Sequence, residues 1–201
     1  MRRSGRDTVG KSRARALAIV SGLGLILLAA PATAAPGEAA SEAGPAPGGS
    51  SPSVAACPSA AGTAGAIRQG VCLMNRERAS RGLRPLRANA KLATAAERHA
   101  WDMVRRGYFA HRSPSGTDLV DRIRVTGYFR AATRWKVGEN LAWGTGELAS
   151  AVAVSERWMA SPPHRANVLS PRFQEVGLAA VPGTPKLDGG LTYVAEFGLR
   201  D

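Results

Sequence analysis

The sequence lacks the motifs that mark the commonest enzyme classes. It contains no G-x-S-x-G elbow, no HExxH segment, no phosphate-binding glycine loop and no Cys-x-x-Cys pair. These absences argue against the usual serine hydrolases, zinc proteases and nucleotide-binding enzymes. Aromatic residues make up only 5% of the chain, and histidine occurs three times.

Cysteine is also scarce, because only Cys57 and Cys72 occur. In an oxidising compartment two cysteines most simply form one disulfide. A bridge between them would close a loop of about 15 residues and stabilise the fold by about 3 kcal/mol. We expect it to tie the segment before the first helix to that helix.

The amino-terminal segment has the three parts of a secretory signal. Six basic residues precede an apolar run from Leu17 to Ala30, and Ala32-Thr33-Ala34 forms an A-x-A cleavage site. The alternative is a retained membrane anchor, but the run of about 14 residues is shorter than the roughly 20 needed to span a bilayer. We therefore predict a cleaved signal over residues 1–34, no stable transmembrane anchor, and a protein that is secreted, extracellular or associated with the cell wall.

The chain is strongly basic, with a formal net charge of +12. An exported basic protein meets anionic cell-wall polymers and phospholipid headgroups, so we expect an anionic wall polymer or a lipid as partner. We expect no nucleic acid, because the chain has no basic motif interleaved with aromatic residues. The sequence does not predict an oligomeric state.

Hydrophobic periodicity divides the rest of the chain. Residues 35–64 are rich in Pro, Gly and Ser and are predicted to be a linker, and residues 65–201 are long enough for one domain. Helices are predicted over 66–81, 90–106, 119–125 and 147–160, and strands over 135–142, 175–181 and 191–198. Leu148, Val152, Ser155 and Met159 are expected to face the core, and Pro162-Pro163 to end the last helix just before His164. Because helices lead and strands trail, an α+β fold is favoured over a parallel α/β sheet.

Three polar residues in loop-like stretches are the candidate site: His111, Glu139 and His164. Two neutral imidazoles and a carboxylate oxygen could hold Zn²⁺ with one position open, or could act as acid and base around a bound ligand. The remaining histidine, His99, falls on the apolar face of the second helix and is expected to be structural.

Around these residues the sequence resembles the CAP superfamily of cysteine-rich secretory proteins, antigen 5 and pathogenesis-related 1 proteins, in its bacterial SCP-domain branch. Six motifs carry the resemblance in order between Val71 and Gly198: LMNRERASRGLRPL, HAWDMVRRGYFAHRSPSG, DRIRVTGY, VGENLAWG, ERWMASPPHRANVLSPRFQEVGLA and YVAEFG. The resemblance implies a three-layer α-β-α sandwich with a central antiparallel sheet covered by helices. It also implies a cleft that gathers His111, Glu139 and His164.

The chain departs from the family pattern at one position. Eukaryotic members often have a second Glu three residues after the helical Trp, whereas this chain has Ser161 after Trp158. Glu156 could substitute for it. A divalent cation, zinc first, is the expected cofactor, and no organic cofactor is expected.

Three functions follow from this sequence. The leading expectation is a non-enzymatic binding or envelope-associated module whose cleft takes a cation and a lipid or cell-wall ligand. The alternatives are a secreted peptidase or esterase that depends on metal or on His and Glu, and a scaffold whose cleft is vestigial and whose basic surface adheres to the wall.

Overall fold

The computed structural model describes residues 56–59, 61–186 and 188–201. The predicted signal and most of the predicted linker lie outside these residues. Along the chain the elements are α1 (Gly62–Ala79), β1 (Arg87–Ala88), α2 (Ala90–Arg106), α3 (Leu119–Val125), β2 (Trp135–Gly144), a short 3-10 helix (Gly146–Ala149), α4 (Ala151–Ala160), α5 (Pro162–Val168), β3 (Glu175–Pro182) and β4 (Leu191–Arg200). Within the described part, no helix is long and apolar enough to cross a membrane.

One four-stranded sheet lies at the centre, with the strand order β1-β3-β4-β2. Strands β3 and β4 are antiparallel, as are β4 and β2, whereas the two-residue β1 adds a short parallel pairing to β3. The predicted antiparallel sheet is therefore confirmed, and the sequence pattern missed only β1. Strand β2, which carries Glu139, forms one edge of the sheet.

Helices cover both faces of this sheet. On one face α1 and α4 pack against alternate residues of β3 and β4, including Leu178, Ala180 and Phe197. On the other face α2 packs against the intervening residues Ala179, Val181 and Val194. Successive residues of a strand point to opposite faces of the sheet. The alternating apolar residues of β3 and β4 therefore contribute to two separate hydrophobic cores, one on each face. The three-layer α+β sandwich expected from the resemblance is confirmed.

Helix α2 is defined at both ends by its sequence. The Asn89 side chain accepts hydrogen bonds from the backbone N–H groups of Lys91 and Leu92, and Gly107 ends the helix in the left-handed conformation at φ 65°. The helix lies directly on β3, because a Cβ at Gly177 would collide with the backbone of Leu92 and Ala93. This close contact fixes the position of His99 relative to the sheet.

The predicted helix over 147–160 is two elements. Its predicted inward face is wrong at Leu148 and Val152, but it is confirmed at Ser155, which is buried, and at Met159, which packs against the core. Ser150 caps α4 through a hydrogen bond from Ala153, so the preceding 3-10 turn does not continue into α4. The break leaves Leu148 and Val152 exposed at 58% and 40%, while Trp158 is buried.

The predicted helix end before His164 is confirmed, because α4 ends at Ala160, but the loop expected around His164 was wrong. Pro162 is the first residue of a new helix, α5, where its missing N–H costs nothing. His164 therefore lies on α5 and not in a loop.

Two further contacts fix α1. Cys57 and Cys72 form the predicted disulfide. The buried Arg78 guanidinium donates hydrogen bonds to four backbone carbonyls, those of Arg84, Val168, Ser170 and Phe173. Three of these carbonyls belong to the end of α5 and the segment that follows it, so Arg78 links α1 to the element that carries His164.

Candidate functional site

Glu139 is the central residue of the candidate site. It lies on β2, is 6% exposed, and both of its carboxylate oxygens are engaged. Oε1 lies 2.7 Å from His111 Nδ1, and Oε2 accepts a hydrogen bond from Arg122 Nη2 at 2.6 Å. The structure thus brings two of the three predicted residues, His111 and Glu139, into direct contact.

His111 lies in the loop between α2 and α3, and its side chain is 62% exposed. Arg122 holds this loop by donating to the His111 carbonyl at 3.0 Å. The hydrogen bond with Glu139 raises the pKa of His111, while burial and the Arg122 charge oppose that increase. Because Nδ1 faces Glu139, the ring turns Nε2 outward, where it has no hydrogen-bond partner among the described residues.

His164 approaches from the opposite side of the edge strand. Asn140 Nδ2 donates to the His164 carbonyl at 3.0 Å, and Asn167 Nδ2 donates to the Glu139 carbonyl at 3.1 Å. These two bonds, together with one from Asn167 to Asn140 Oδ1 at 2.8 Å, fasten α5 to β2. Partial burial and the nearby His111 charge lower the pKa of His164. Within the described residues, no hydrogen bond or ion pair joins the His164 ring to His111 or Glu139.

His99 is part of the same network, although its apolar helix face marked it as structural. The prediction that it is buried is confirmed, since it is 1% exposed, but its Nε2 lies 3.9 Å from Glu139 Oε2. Nε2 also lies 3.0 Å from the Ala110 carbonyl, which can only accept, so the ring is protonated there. Burial lowers the pKa of His99 and favours this neutral form.

Sequence reasoning missed two buried charged residues, Arg122 and Glu196. Glu196 is fully buried on β4, and neither of its carboxylate oxygens has a hydrogen-bond partner within the described residues. Its Oε1 lies 3.8 Å from Arg122 Nε. Burial raises the pKa of Glu196 to about 9. Glu196 is part of the YVAEFG motif, but only the strand register shows that it lies opposite Glu139.

An apolar groove of about 590 Å³ leads to His164. Its walls include Leu141, Trp143, Leu148 and Trp158, and Phe109 contributes from the loop that carries His111. Phe109 and Leu148 are 44% and 58% exposed, so large apolar side chains line the groove without being covered by other described residues. The apolar groove therefore lies beside the imidazole of His164.

Ser161 stands at the position where the resemblance led us to expect a second acid. Ser161 lines the groove beside His164. Glu156 is exposed on α4 and does not line this groove, so it does not supply the missing carboxylate there. Across the described part of the chain, no three side chains of His, Cys, Asp or Glu are placed so that they could share one metal ion.

The three predicted metal ligands differ in whether their ligand atoms are already engaged. The outward Nε2 of His111 and the ring of His164 can act as ligands, whereas the oxygens of Glu139 are already used by His111 and Arg122. A carboxylate behind a ligating histidine is a common partner that orients the ring. Glu139 therefore fits as the partner of His111 better than as a ligand.

Comparison with known proteins agrees with this architecture. The model of the CAP cysteine-rich secretory protein family matches residues 71–197. The uncharacterized protein YkwD of Bacillus subtilis (strain 168) is 34% identical over 110 residues, which are 54% of this chain and 40% of that protein.

Solved structures show the same fold. An extracellular protein containing an SCP domain from Bacillus anthracis str. Ames matches with a TM-score of 0.55 and 28% identity, over 67% of this chain and 40% of that one. An outer surface protein from Borrelia burgdorferi matches with a TM-score of 0.54 and 21% identity, over 65% of this chain and 90% of that one. The chain thus spans about 40% of the length of YkwD and of the Bacillus anthracis protein.

Proposed function

The chain belongs to the CAP family of cysteine-rich secretory proteins, and from that premise we propose that it is an extracellular binding module that holds an apolar, lipid-like ligand. The groove beside His164 carries this proposal. Ligand sites are concave and mostly apolar, with few polar groups to fix orientation. Here Trp143 and Leu148 would contact the ligand chain, and Ser161 and His164 would contact its polar end.

Location outside the cell is the second part of the proposal. Matched proteins are described as an extracellular protein and as an outer surface protein, and the predicted signal of residues 1–34 fits that compartment. Fractionation of the producing cells tests it. Recovery in the medium or the wall fraction supports the proposal, and release from the wall by high salt would identify electrostatic adhesion. Recovery in the cytosol would contradict it.

Ligand binding can be tested with a fluorescent long-chain fatty acid as the probe. Leu148→Asn removes an exposed apolar side chain from the groove, and we expect at least about tenfold weaker binding, because burying a leucine side chain contributes about 1.5–3 kcal/mol. Val125→Asn is the matched control, since Val125 is 73% exposed on α3 and does not line the groove. If the wild type does not bind the probe, or if both variants bind it equally, the groove proposal fails.

A divalent cation is a separate part of the proposal. His111 Nε2 and His164 would hold it, with Glu139 orienting His111, and when bound it would add positive charge at the polar end of the groove. Calorimetric titration with Zn²⁺ tests the assignment. His111→Ala and His164→Ala should each remove most of the affinity, whereas Glu139→Gln should weaken it by about 10- to 100-fold. Unchanged affinity in His164→Ala would contradict it.

A hydrolase is the second candidate function, because His111 and Glu139 form a contact suited to general base catalysis. The ring is 62% exposed and is oriented by a buried carboxylate at 2.7 Å. His111 would take a proton from water or from a substrate hydroxyl. A panel of peptide and ester substrates tests it. Turnover by the wild type that disappears in a folded Glu139→Gln variant supports this function, and equal turnover in both excludes it.

A further inference from the structure

A second cavity, of about 230 Å³, lies between α2 and the loop that precedes α3. Its lining is polar and includes Arg98, Arg105, Ser113, Ser115, Thr117 and Arg122. None of these residues lines the apolar groove beside His164. From its charge and its hydroxyl groups, we infer that this cavity binds a tetrahedral oxyanion of the phosphate class, either free or as part of a phosphate ester.

Two guanidinium groups supply the charge. Arg98 and Arg105 are seven residues apart on α2 and therefore lie on one face of the helix, two turns apart. Neither forms an ion pair with a carboxylate in the part of the chain that the structure describes. By contrast, the neighbouring Arg106 pairs with Asp102 at 3.5 Å. Guanidinium groups are suited to phosphate because their planar set of donors matches two of its oxygens.

The loop side of the cavity supplies neutral donors. Ser113 Oγ lies 2.9 Å from Ser115 Oγ, which lies 3.4 Å from Thr117 Oγ1. Ser113 Oγ already accepts from the Thr117 N–H at 3.1 Å, so its proton can be directed to Ser115. If Ser115 in turn donates to Thr117, the hydroxyl proton of Thr117 remains available to a ligand. Three hydrogen-bonded hydroxyl groups arranged in this way favour a ligand that accepts hydrogen bonds, such as an oxyanion.

The charge balance of the lining also favours an anion. Asp102 is the acidic member, and its Oδ2 already accepts from the Tyr108 hydroxyl and from Arg106. The buried Arg122 is paired with Glu139. Arg98 and Arg105, which have no ion-pair partner among the described residues, therefore exceed the one carboxylate of the lining, and a singly or doubly charged phosphate would offset that excess. This inference does not depend on what the groove binds.

The test is a titration of the ¹⁵N-labelled protein with inorganic phosphate, with sodium chloride at matched ionic strength as the reference. We expect saturable shifts of the Ser115, Gly116 and Thr117 amide signals. Arg98→Gln and Arg105→Gln should each weaken binding by about tenfold, as expected for the loss of one charged hydrogen-bond donor. Arg81→Gln removes the same charge from an arginine that pairs with Glu77 and does not line the cavity, so its binding should be unchanged.

Parallel titration with an oligomer of glycerol phosphate distinguishes the source of the oxyanion. Affinity at least tenfold above that of inorganic phosphate would indicate a phosphodiester polymer, and equal affinity would indicate free phosphate. The inference is overturned if phosphate causes no saturable shift. It is also overturned if the variants at 98 and 105 bind as the wild type does, or if Arg81→Gln loses as much affinity as they do.

Discussion

Glu139 and Glu196 lie directly opposite each other on the antiparallel strands β2 and β4. Residues paired in this way point to the same face of the sheet, and two like charges there repel each other. Arg122 reaches both, at 2.6 Å from Glu139 and 3.8 Å from Glu196. One guanidinium cannot neutralise two carboxylates, so one acid keeps its proton, and burial makes Glu196 that acid.

Arg122→Met should destabilise the protein by about 3–5 kcal/mol, because it leaves the buried Glu139 without its cation. Chemical denaturation measures the loss. The double variant Arg122→Met with Glu139→Gln should recover part of it, since the uncompensated charge is then absent. Losses that simply add in the double variant would show that the two side chains are not coupled.

Glu196→Gln should become more stable relative to the wild type as the pH rises. The pKa of Glu196 is raised from 4.5 to about 9 on folding, so the unfolded chain releases a proton that the folded protein retains. Its contribution to stability is full below pH 4.5 and is lost as the pH rises to about 9, by at most about 1.4 kcal/mol per pH unit. Unfolding free energies of both proteins between pH 5 and 9 measure the difference. A difference that does not change with pH would contradict the assignment.

The three imidazoles should titrate in a defined order in an NMR experiment. The pKa of His111 should lie above 6.5, and those of His99 and His164 below it. The stabilising contribution of His111 is therefore present below pH 6.5 and is lost as the pH rises through its folded pKa. For His99 and His164 the sign is opposite, so stability falls as the pH decreases below 6.5. Glu139→Gln should lower the pKa of His111, and a His111 that titrates below 6.5 in the wild type would refute the contact with Glu139.

Arg78→Met should cost about 3 kcal/mol or more, because it leaves buried carbonyls of the segment after α5 without a donor. Arg76→Met on the same helix is the control. Arg76 is exposed, and its replacement should change stability by about 0.5 kcal/mol or less. Thermal or denaturant unfolding of both variants gives the comparison, and equal effects would show that the carbonyl contacts contribute nothing.

The sequence predicted those features that depend on local pattern. The helix predicted over 90–106 has the bounds of α2, the two cysteines form the predicted disulfide, and the motifs placed His111 beside Glu139. The wrong predictions came from segments whose sequence is compatible with more than one local structure. Pro162, for example, can follow the end of one helix or begin the next one.

The missed features arose from tertiary contacts. Arg122 and Glu196 belong to different elements, and their burial beside Glu139 follows from strand register and from helix packing on the sheet. Nothing in the local sequence around either residue distinguishes it from an exposed charge. The assignment of His111, Glu139 and His164 as metal ligands stays a prediction, as do the signal and linker boundaries.

The bonds that Asn140 and Asn167 make between β2 and α5 determine what ligand binding would cost in entropy. They join the strand that carries Glu139 and the helix that carries His164 into one frame before any ligand arrives, and Arg122 holds the His111 loop against that frame. When a ligand contacts both imidazoles, little of the protein backbone would still have to become ordered. The entropic cost of binding would then be small, so most of the contact energy would appear as affinity. Loosening this frame, for example by Asn167→Ala, would show as a more unfavourable binding entropy while the contacts to the ligand stay the same.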